Sequence, residues 1–271
     1  MSRVALFMFA CAALLAAAAP LVKHIASPWK ELTLGALLSA LGFLLTALFV
    51  LWDRRSVTLG LAEVGAWTQR SKWQQTATRF GAGCAIGLAL VALSTAALAA
   101  VGSVRFELAS KPRVVEWGAA LLGYLLLASR EELAFRGYPL FRLRKVVGDW
   151  PALIVIALMF AAEHRLGGWD WGRALYGAGL GSLIFGLAAL ATRGLAFPIG
   201  LHAAWNCGQW AAGFRADGAP VKAIVLPQDQ TRFDVVNSAS YVILMAALGL
   251  ALLIWKRRQS GEVATMPPVP G

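Results

Sequence analysis

Polar side chains that could perform chemistry lie inside, or at the end of, three apolar segments of this chain. Glu131 and Glu132 follow the first segment, His164 ends the second, and His202 and Asn206 lie within the third. A charged residue at membrane depth costs about 2.5–3.5 kcal/mol on insertion scales, so such residues indicate a function. The alternative is that the two carboxylates only mark the solvated end of a helix.

Helical spacing separates the roles of the two adjacent carboxylates. Glu132 and Arg136 are four residues apart, so they can form an ion pair on one helix face. Each residue turns an α-helix by about 100°, so Glu131 points away from this pair. The spacing therefore predicts that Glu132 is structurally paired and that Glu131 is free for chemistry.

The two histidines fit the same chemistry. Phe160 shares a helix face with His164, and His202 shares one with Asn206, because each pair is separated by four residues. A carboxylate partly removed from water can act as a general base, and an imidazole can help to hold the water. An imidazole N–H and a side-chain amide can donate to a developing oxyanion. Together with Glu131, these groups form a complete set for hydrolysing a carbonyl compound with an activated water.

A metal site is the competing use of the same residues. Glu131, His164 and His202 would supply three ligands of a catalytic zinc site with one open position. The chain contains no His-Glu-x-x-His sequence, and the spacing alone does not select zinc. Ser129 lies beside the glutamates without an evident base partner, so no serine nucleophile is indicated. The sequence therefore requires no cofactor and leaves zinc open.

Composition indicates that membrane helices carry these residues. Of the 271 residues, 59% are hydrophobic and only 14% are charged, whereas soluble domains contain about 25% charged residues. Apolar runs close to the ~20 residues that cross a bilayer recur along the chain. Cys11, Cys84 and Cys207 lie within such runs and form no Cys-x-x-Cys pair, which indicates buried thiols. We predict an all-α, polytopic integral membrane protein.

The apolar runs predict about eight transmembrane helices with an intramembrane active site. Residues 1–110 hold helices 1–3 and an interfacial segment at 56–79, and residues 111–258 form a core of helices 4–8. The motifs occupy residues 131–206, and the Pro/Gly-rich tail at 259–271 is expected to be disordered. The predicted spans are residues 1–19, 32–52, 80–101, 114–128, 150–164, 174–191, 195–214 and 235–255.

The basic residues indicate membrane topology and not nucleic-acid binding. The net charge is +11, but Lys and Arg punctuate the apolar segments, which favours anionic lipids as their partners. The loops on the same side of the membrane as the two termini carry more Lys and Arg than the loops on the other side. Both termini are therefore predicted in the cytoplasm. Compact basic loops are typical of a bacterial inner-membrane protein. Residues 1–19 also resemble a signal peptide, although an even number of helices favours a first span.

Three motifs on successive helices resemble those of the CPBP family. They are Glu-Glu-x-x-x-Arg at 131–136, Phe-x-x-x-His at 160–164 and His-x-x-x-Asn at 202–206. That family comprises the CAAX prenyl endoproteases and their bacterial relatives, also called the Abi family. The resemblance covers about residues 115–215 and is specific because all three motifs occur in order.

The resemblance implies an intramembrane endopeptidase that acts on a membrane-associated or lipidated protein or peptide. Glu131 would be the catalytic base, His164 would help to position the water, and His202 with Asn206 would form the oxyanion hole. The family has been described both as glutamate-dependent and as metal-dependent. The supporting residues would be Glu132, Arg136 and Phe160.

A function from another class uses the same polar cluster differently. In a membrane transporter or a non-catalytic scaffold, the cluster would be a proton relay or a structural network. A transporter would be expected to contain inverted repeats with broken helices in matching halves. The polar residues instead occur only in spans four to seven, which favours the hydrolase.

Overall fold

The structure is a computed structural model that describes residues 2–53, 73–110, 113–215 and 218–264, with side chains described as far as residue 258. Helices dominate these ranges, because a helix satisfies its own backbone hydrogen bonds in an apolar environment. The helices are α1 (Ser2–Leu21), α2 (Trp29–Asp53), α3 (Trp73–Ala100), α4 (Val114–Glu132), α5 (Tyr138–Val147), α6 (Asp149–Leu166), α7 (Trp171–Arg173), α8 (Leu180–Thr192), α9 (Ala196–Ala211) and α10 (Gln230–Ala264).

The predicted all-α polytopic membrane fold is confirmed. Within the described ranges, five helical segments are long and apolar enough to cross a membrane: α1, α2, α3, the segment that ends in α8, and the segment that contains α10. The other three predicted spans are α4, α6 and α9, which have 19, 18 and 16 residues. These three helices carry the polar motifs, and α9 is also shorter than the 18 residues of α6.

The first three helices pack directly on the helices that carry the motifs. Helix α1 contacts α2 and α5, α2 contacts α4, and α3 contacts α9. Asp53, fully buried at the end of α2, accepts hydrogen bonds from Tyr138 Oη (3.0 Å) and Arg142 Nε (2.6 Å) and pairs with Arg3. Phe7 is fully buried against Tyr138. Residues 2–21 therefore form a helix of the folded core, as the interpretation of a first span predicts.

Glycines bring the backbones of α3 and α9 into contact. A Cβ atom at Gly83 would lie 2.2 Å from the carbonyl oxygen of Phe197, and one at Gly200 would lie 2.3 Å from that of Phe80. Small residues permit such close approach of helices in lipid. Because α9 carries His202, this contact sets the depth of a predicted site residue.

Two π turns interrupt the helices beside the motifs. The first, Leu133–Gly137, joins α4 to α5, and the second, Ala174–Gly179, joins α7 to α8. The sequence predicts that the fourth span ends at the two glutamates, but the helical chain continues through the first π turn to Val147. π turns are rare and occur frequently at functional sites. Here one of them contains Arg136.

A small antiparallel sheet, which the sequence does not predict, joins two loops. Strand β1 (Arg105–Leu108) precedes α4, and β2 (Val221–Ile224) follows α9, with Arg105 opposite Ile224 and Leu108 opposite Val221. The sheet links the chain on either side of the segment that carries the motifs.

Two predicted segments lie partly outside the described residues. Of the interfacial segment at 56–79, only the part from Trp73 onward is described, and it forms the first turns of α3. Helix α10 continues to Ala264, past the predicted end of the last span and into the predicted disordered tail. Residues 265–271 of that tail lie outside the described residues.

Substitution of Gly83 tests the contact between α3 and α9. We expect Gly83→Ala to destabilise the protein by about 1–3 kcal/mol, because the added methyl group would overlap the α9 backbone. Gly81 lies on the same helix, and a Cβ atom added there would have no neighbouring atom within 4 Å among the described residues. Gly81→Ala should therefore not lower the melting temperature in detergent. Equal melting temperatures for the two variants would contradict the close contact.

Candidate active site

A fully buried ion pair lies next to the candidate catalytic residues. Arg136 Nη1 lies 3.1 Å from Glu132 Oε1, and both side chains are fully buried. The structure thus contains the pair that the four-residue spacing predicts, and the π turn between the two residues does not disrupt it. Buried charges lose their hydration, so each of the two depends on the other for compensation.

Aromatic rings surround the buried guanidinium. The Arg136 guanidinium carbon lies 4.4 Å from the ring centroid of Phe160, 5.6 Å from that of Phe185 and 5.8 Å from that of Phe135. Its Nε and Nη2 atoms have no hydrogen-bond partner among the described residues, and cation–π attraction offsets part of that loss. Phe160 also contacts His164, with ring centroids 4.5 Å apart. Phe160 therefore supports the site through two contacts, one with Arg136 and one with His164.

His202 connects the two carboxylates. Its Nδ1 lies 2.9 Å from Glu132 Oε1, and its Nε2 lies 3.6 Å from Glu131 Oε2. A carboxylate only accepts hydrogen bonds, so Nδ1 is the donor to Glu132. Phe185 stacks on the imidazole with centroids 4.5 Å apart. The sequence predicts only Arg136 as a partner of Glu132. In the structure, Glu132 on α4 also accepts a hydrogen bond from His202 on α9 and thereby orients the imidazole.

A cavity of about 510 Å³ brings three of the predicted residues to one wall. His164 from α6 lines it, together with His202 and Asn206 from α9. Tyr241 of α10 closes the opposite side by donating a hydrogen bond to the backbone carbonyl of Gly177 in the second π turn. Helices α6 and α9 therefore bring their motif residues to one cavity.

Glu131 lies at the edge of this cavity and not in its lining. Its side chain is 19% exposed, and its carboxylate meets the His202 ring on the Nε2 side. Glu132 is fully buried by comparison. The two neighbouring carboxylates therefore differ in access to solvent.

A backbone hydrogen bond fixes the orientation of His164. Its Nδ1 lies 3.0 Å from the carbonyl oxygen of Phe160, which only accepts, so Nδ1 carries the hydrogen. The ring lies between Phe160 and Trp169, with centroids 4.5 Å and 4.8 Å away. In the neutral ring, Nε2 is then left as an acceptor that can hold a water.

The zinc site that the sequence leaves open needs three ligands placed together. Among the described residues, no group of three or more His, Cys, Asp or Glu side chains is placed to hold a metal ion. This finding covers the set that the sequence leaves open for zinc, Glu131 with His164 and His202.

Arg130 and Glu163 are functional candidates that the sequence interpretation missed. Arg130 Nη1 lies 2.6 Å from Glu163 Oε1 and 3.7 Å from Glu131 Oε1. The signal was present in the sequence, since Glu163 is an acidic residue directly before His164 in an apolar helix. Its partner on another helix could be identified only in three dimensions.

Residues 113–208 match the protein family described as Type II CAAX prenyl endopeptidase Rce1-like. The predicted resemblance to the CPBP family is confirmed over this segment. The match includes the three motifs with both of their histidines, and it supports a CAAX-protease-like peptidase in an integral membrane protein. No curated protein matches the chain.

Replacing one member of the buried ion pair should lower the stability of the protein more than replacing both members. We expect Arg136→Leu to destabilise the protein by about 3–5 kcal/mol, because Glu132 would retain a buried charge without its cation. The double variant Glu132→Leu/Arg136→Leu removes both charges and should melt at a higher temperature than the single variant. Thermal unfolding in detergent measures both. A single variant that melts above the double variant would contradict the proposed compensation.

Proposed function

We propose that this protein is an intramembrane endopeptidase that hydrolyses a peptide bond of a membrane-associated or lipidated protein or peptide. The observation that carries the proposal is the approach of His202 Nε2 to Glu131 Oε2 at 3.6 Å, beside a cavity lined by His164 and Asn206. It lies within the segment that matches the CAAX-protease-like family. That geometry suits attack by water and involves no serine or cysteine nucleophile.

Glu131 is the general base in this proposal. Its carboxylate takes a proton from a water as the water oxygen attacks the carbonyl carbon of the substrate. The His164 Nε2 acceptor holds the second hydrogen of that water. When the tetrahedral intermediate collapses, the C–N bond breaks and Glu131 returns the proton to the leaving amine. Each proton is thereby accounted for without a metal.

Asn206 and His202 stabilise the oxyanion. Both line the cavity on one face of α9, and an amide N–H₂ donates to an oxyanion in any protonation state of the site. For His202, Nδ1 is already committed to Glu132. Its Nε2 therefore donates to the oxyanion only when the ring carries a hydrogen on both nitrogens.

Two arginines and one glutamate, Glu31, line the cavity, so this charged lining has a net positive charge and suits an anionic group on the substrate. Arg215 donates from Nε to Gln209 Oε1 at 3.2 Å, and Arg173 lies over the Trp169 ring at 4.3 Å. Both guanidiniums line the cavity, and both are held in place by uncharged groups. We propose that they bind a substrate carboxylate, such as that of a free C-terminus.

The membrane setting completes the proposal. We place the protein in a bacterial plasma membrane because its basic loops are compact. The bias of Lys and Arg among these loops supports a cytoplasmic position for both termini. Its basic loop residues then face anionic lipid headgroups. On this orientation, α4 carries the two glutamates towards the cytoplasmic side.

Substitutions of the proposed machinery test the reaction. In liposomes with a panel of membrane peptides, Glu131→Gln should lower kcat about 10²–10⁴-fold, because the amide cannot take a proton. Asn206→Ala should lower it about 10²–10³-fold through loss of an oxyanion donor. The control Glu116→Gln removes a carboxylate from the distant first turn of α4 and should cleave like the wild type.

Persistent cleavage by Glu131→Gln would refute the role of this carboxylate as the base. A tight chelator should leave the wild-type rate unchanged in the same assay. If the chelator abolished cleavage and zinc restored it, the metal-independent mechanism would be wrong.

Peptides that differ only at the C-terminus test the proposed carboxylate contact. The wild type should prefer a free acid to the matching amide, and Arg215→Gln should raise KM for the acid about 10- to 100-fold while leaving the amide unaffected. Arg232→Gln is the control, because Arg232 pairs with Asp229 outside the cavity. Equal KM values for acid and amide in the wild type would contradict the contact.

A further inference from the structure

Arg130 is a buried cation that lies beside the proposed base. Its side chain is 9% exposed, and its Nη1 atom is shared between Glu163 Oε1 at 2.6 Å and Glu131 Oε1 at 3.7 Å. The shorter contact meets the distance of a charge-assisted hydrogen bond, and the longer one does not. Arg130 therefore bonds to Glu163 and acts on Glu131 through its charge alone.

The ion pair lies outside the lining of the main cavity. Neither Arg130 nor Glu163 lines that cavity. Both instead line a separate space of about 20 Å³ towards α1 and α2, together with Cys11 and Gly42. Arg130 and Glu163 are therefore placed to act on catalysis through the residues next to them in the chain.

Those neighbouring residues are the two that handle the water in the proposed mechanism. Arg130 directly precedes Glu131 on α4, and Glu163 directly precedes His164 on α6. One hydrogen bond thus fixes the helix that carries the base relative to the helix that carries the water-holding imidazole. A shift of about 1 Å between such groups costs roughly 10²-fold in rate.

The bond between Arg130 and Glu163 also keeps the carboxylate oxygens of Glu131 free to take a proton. A direct hydrogen bond from a guanidinium would occupy the carboxylate oxygen that must take a proton. Because Glu163 holds Arg130 at 2.6 Å, Glu131 keeps a nearby positive charge while its oxygens stay available. Loss of Glu163 would free Arg130 to bond to the base directly.

We propose that Arg130 and Glu163 are positioning residues that hold Glu131 and His164 in register and supply the base with an unbonded positive charge. The proposal rests on the proposed function of Glu131. According to this proposal, an ion pair between the two helices is not sufficient for activity. The cation must be on α4 and the anion on α6.

Exchange of the two charges separates positioning from simple tethering. Arg130→Glu/Glu163→Arg keeps an ion pair between α4 and α6 but puts a carboxylate beside Glu131. We expect its melting temperature in detergent to exceed that of Arg130→Glu alone, while kcat stays at least about tenfold below the wild type with KM little changed. A charge-exchanged variant with wild-type kcat would overturn the proposal, because a tether alone would then suffice.

A second comparison decides the matter if the exchanged variant does not fold. Arg130→Lys keeps the charge and Arg130→Gln removes it, so the lysine variant should have at least about tenfold higher kcat than the glutamine variant. Glu163→Gln should also lower kcat with KM little changed. Equal kcat values for the Lys and Gln variants would overturn the proposal.

Two controls keep the outcomes distinct. Arg144→Gln removes a different ion pair, the 2.9 Å contact with Asp149, and should leave kcat unchanged even if it lowers the melting temperature. Glu131→Gln is measured in parallel. If Glu131→Gln still cleaves, the proposed role of Glu131 as the base fails, whereas an inactive Glu131→Gln with fully active Arg130 variants rejects only the positioning role.

Discussion

The carboxylate of Glu132 is the point on which the site depends. It is fully buried, lies 3.1 Å from Arg136 on its own helical segment, and accepts a hydrogen bond from His202 on α9. Desolvation makes such a charge costly unless its partners are held in place. The structure around it meets that condition, with aromatic rings on the guanidinium and a stacked ring on the imidazole. The buried charge thereby fixes the histidine that faces the proposed base.

The need to hold His202 in place against Glu132 gives a structural role to helices outside the matched segment. Helix α9 can present His202 at the right depth only if its backbone is fixed, and the glycine contacts with α3 provide that fixation. Helix α1 closes over the start of α5 through the buried Asp53 cluster. The N-terminal helices therefore contribute to the site without carrying a motif, by packing against the segments that do.

The parts of the site that follow helical geometry were predictable from sequence. Glu132 and Arg136 lie on one helical segment, so their spacing was enough to predict the pair and the separate direction of Glu131. The bond between His202 and Glu132 joins residues 70 positions apart, and that between Arg130 and Glu163 joins residues 33 apart. Neither follows from periodicity. The π turns and the two short strands also escaped prediction, because they depend on packing and not on local propensity.

The central claim is that two adjacent carboxylates have separate functions, Glu131 in chemistry and Glu132 in holding the site together. The most direct test measures cleavage rate and melting temperature together for Glu131→Gln and Glu132→Gln. The account predicts that Glu131→Gln loses cleavage and melts close to the wild type, whereas Glu132→Gln melts at a clearly lower temperature. A Glu132→Gln variant with wild-type stability, or a Glu131→Gln variant that still cleaves, would contradict it.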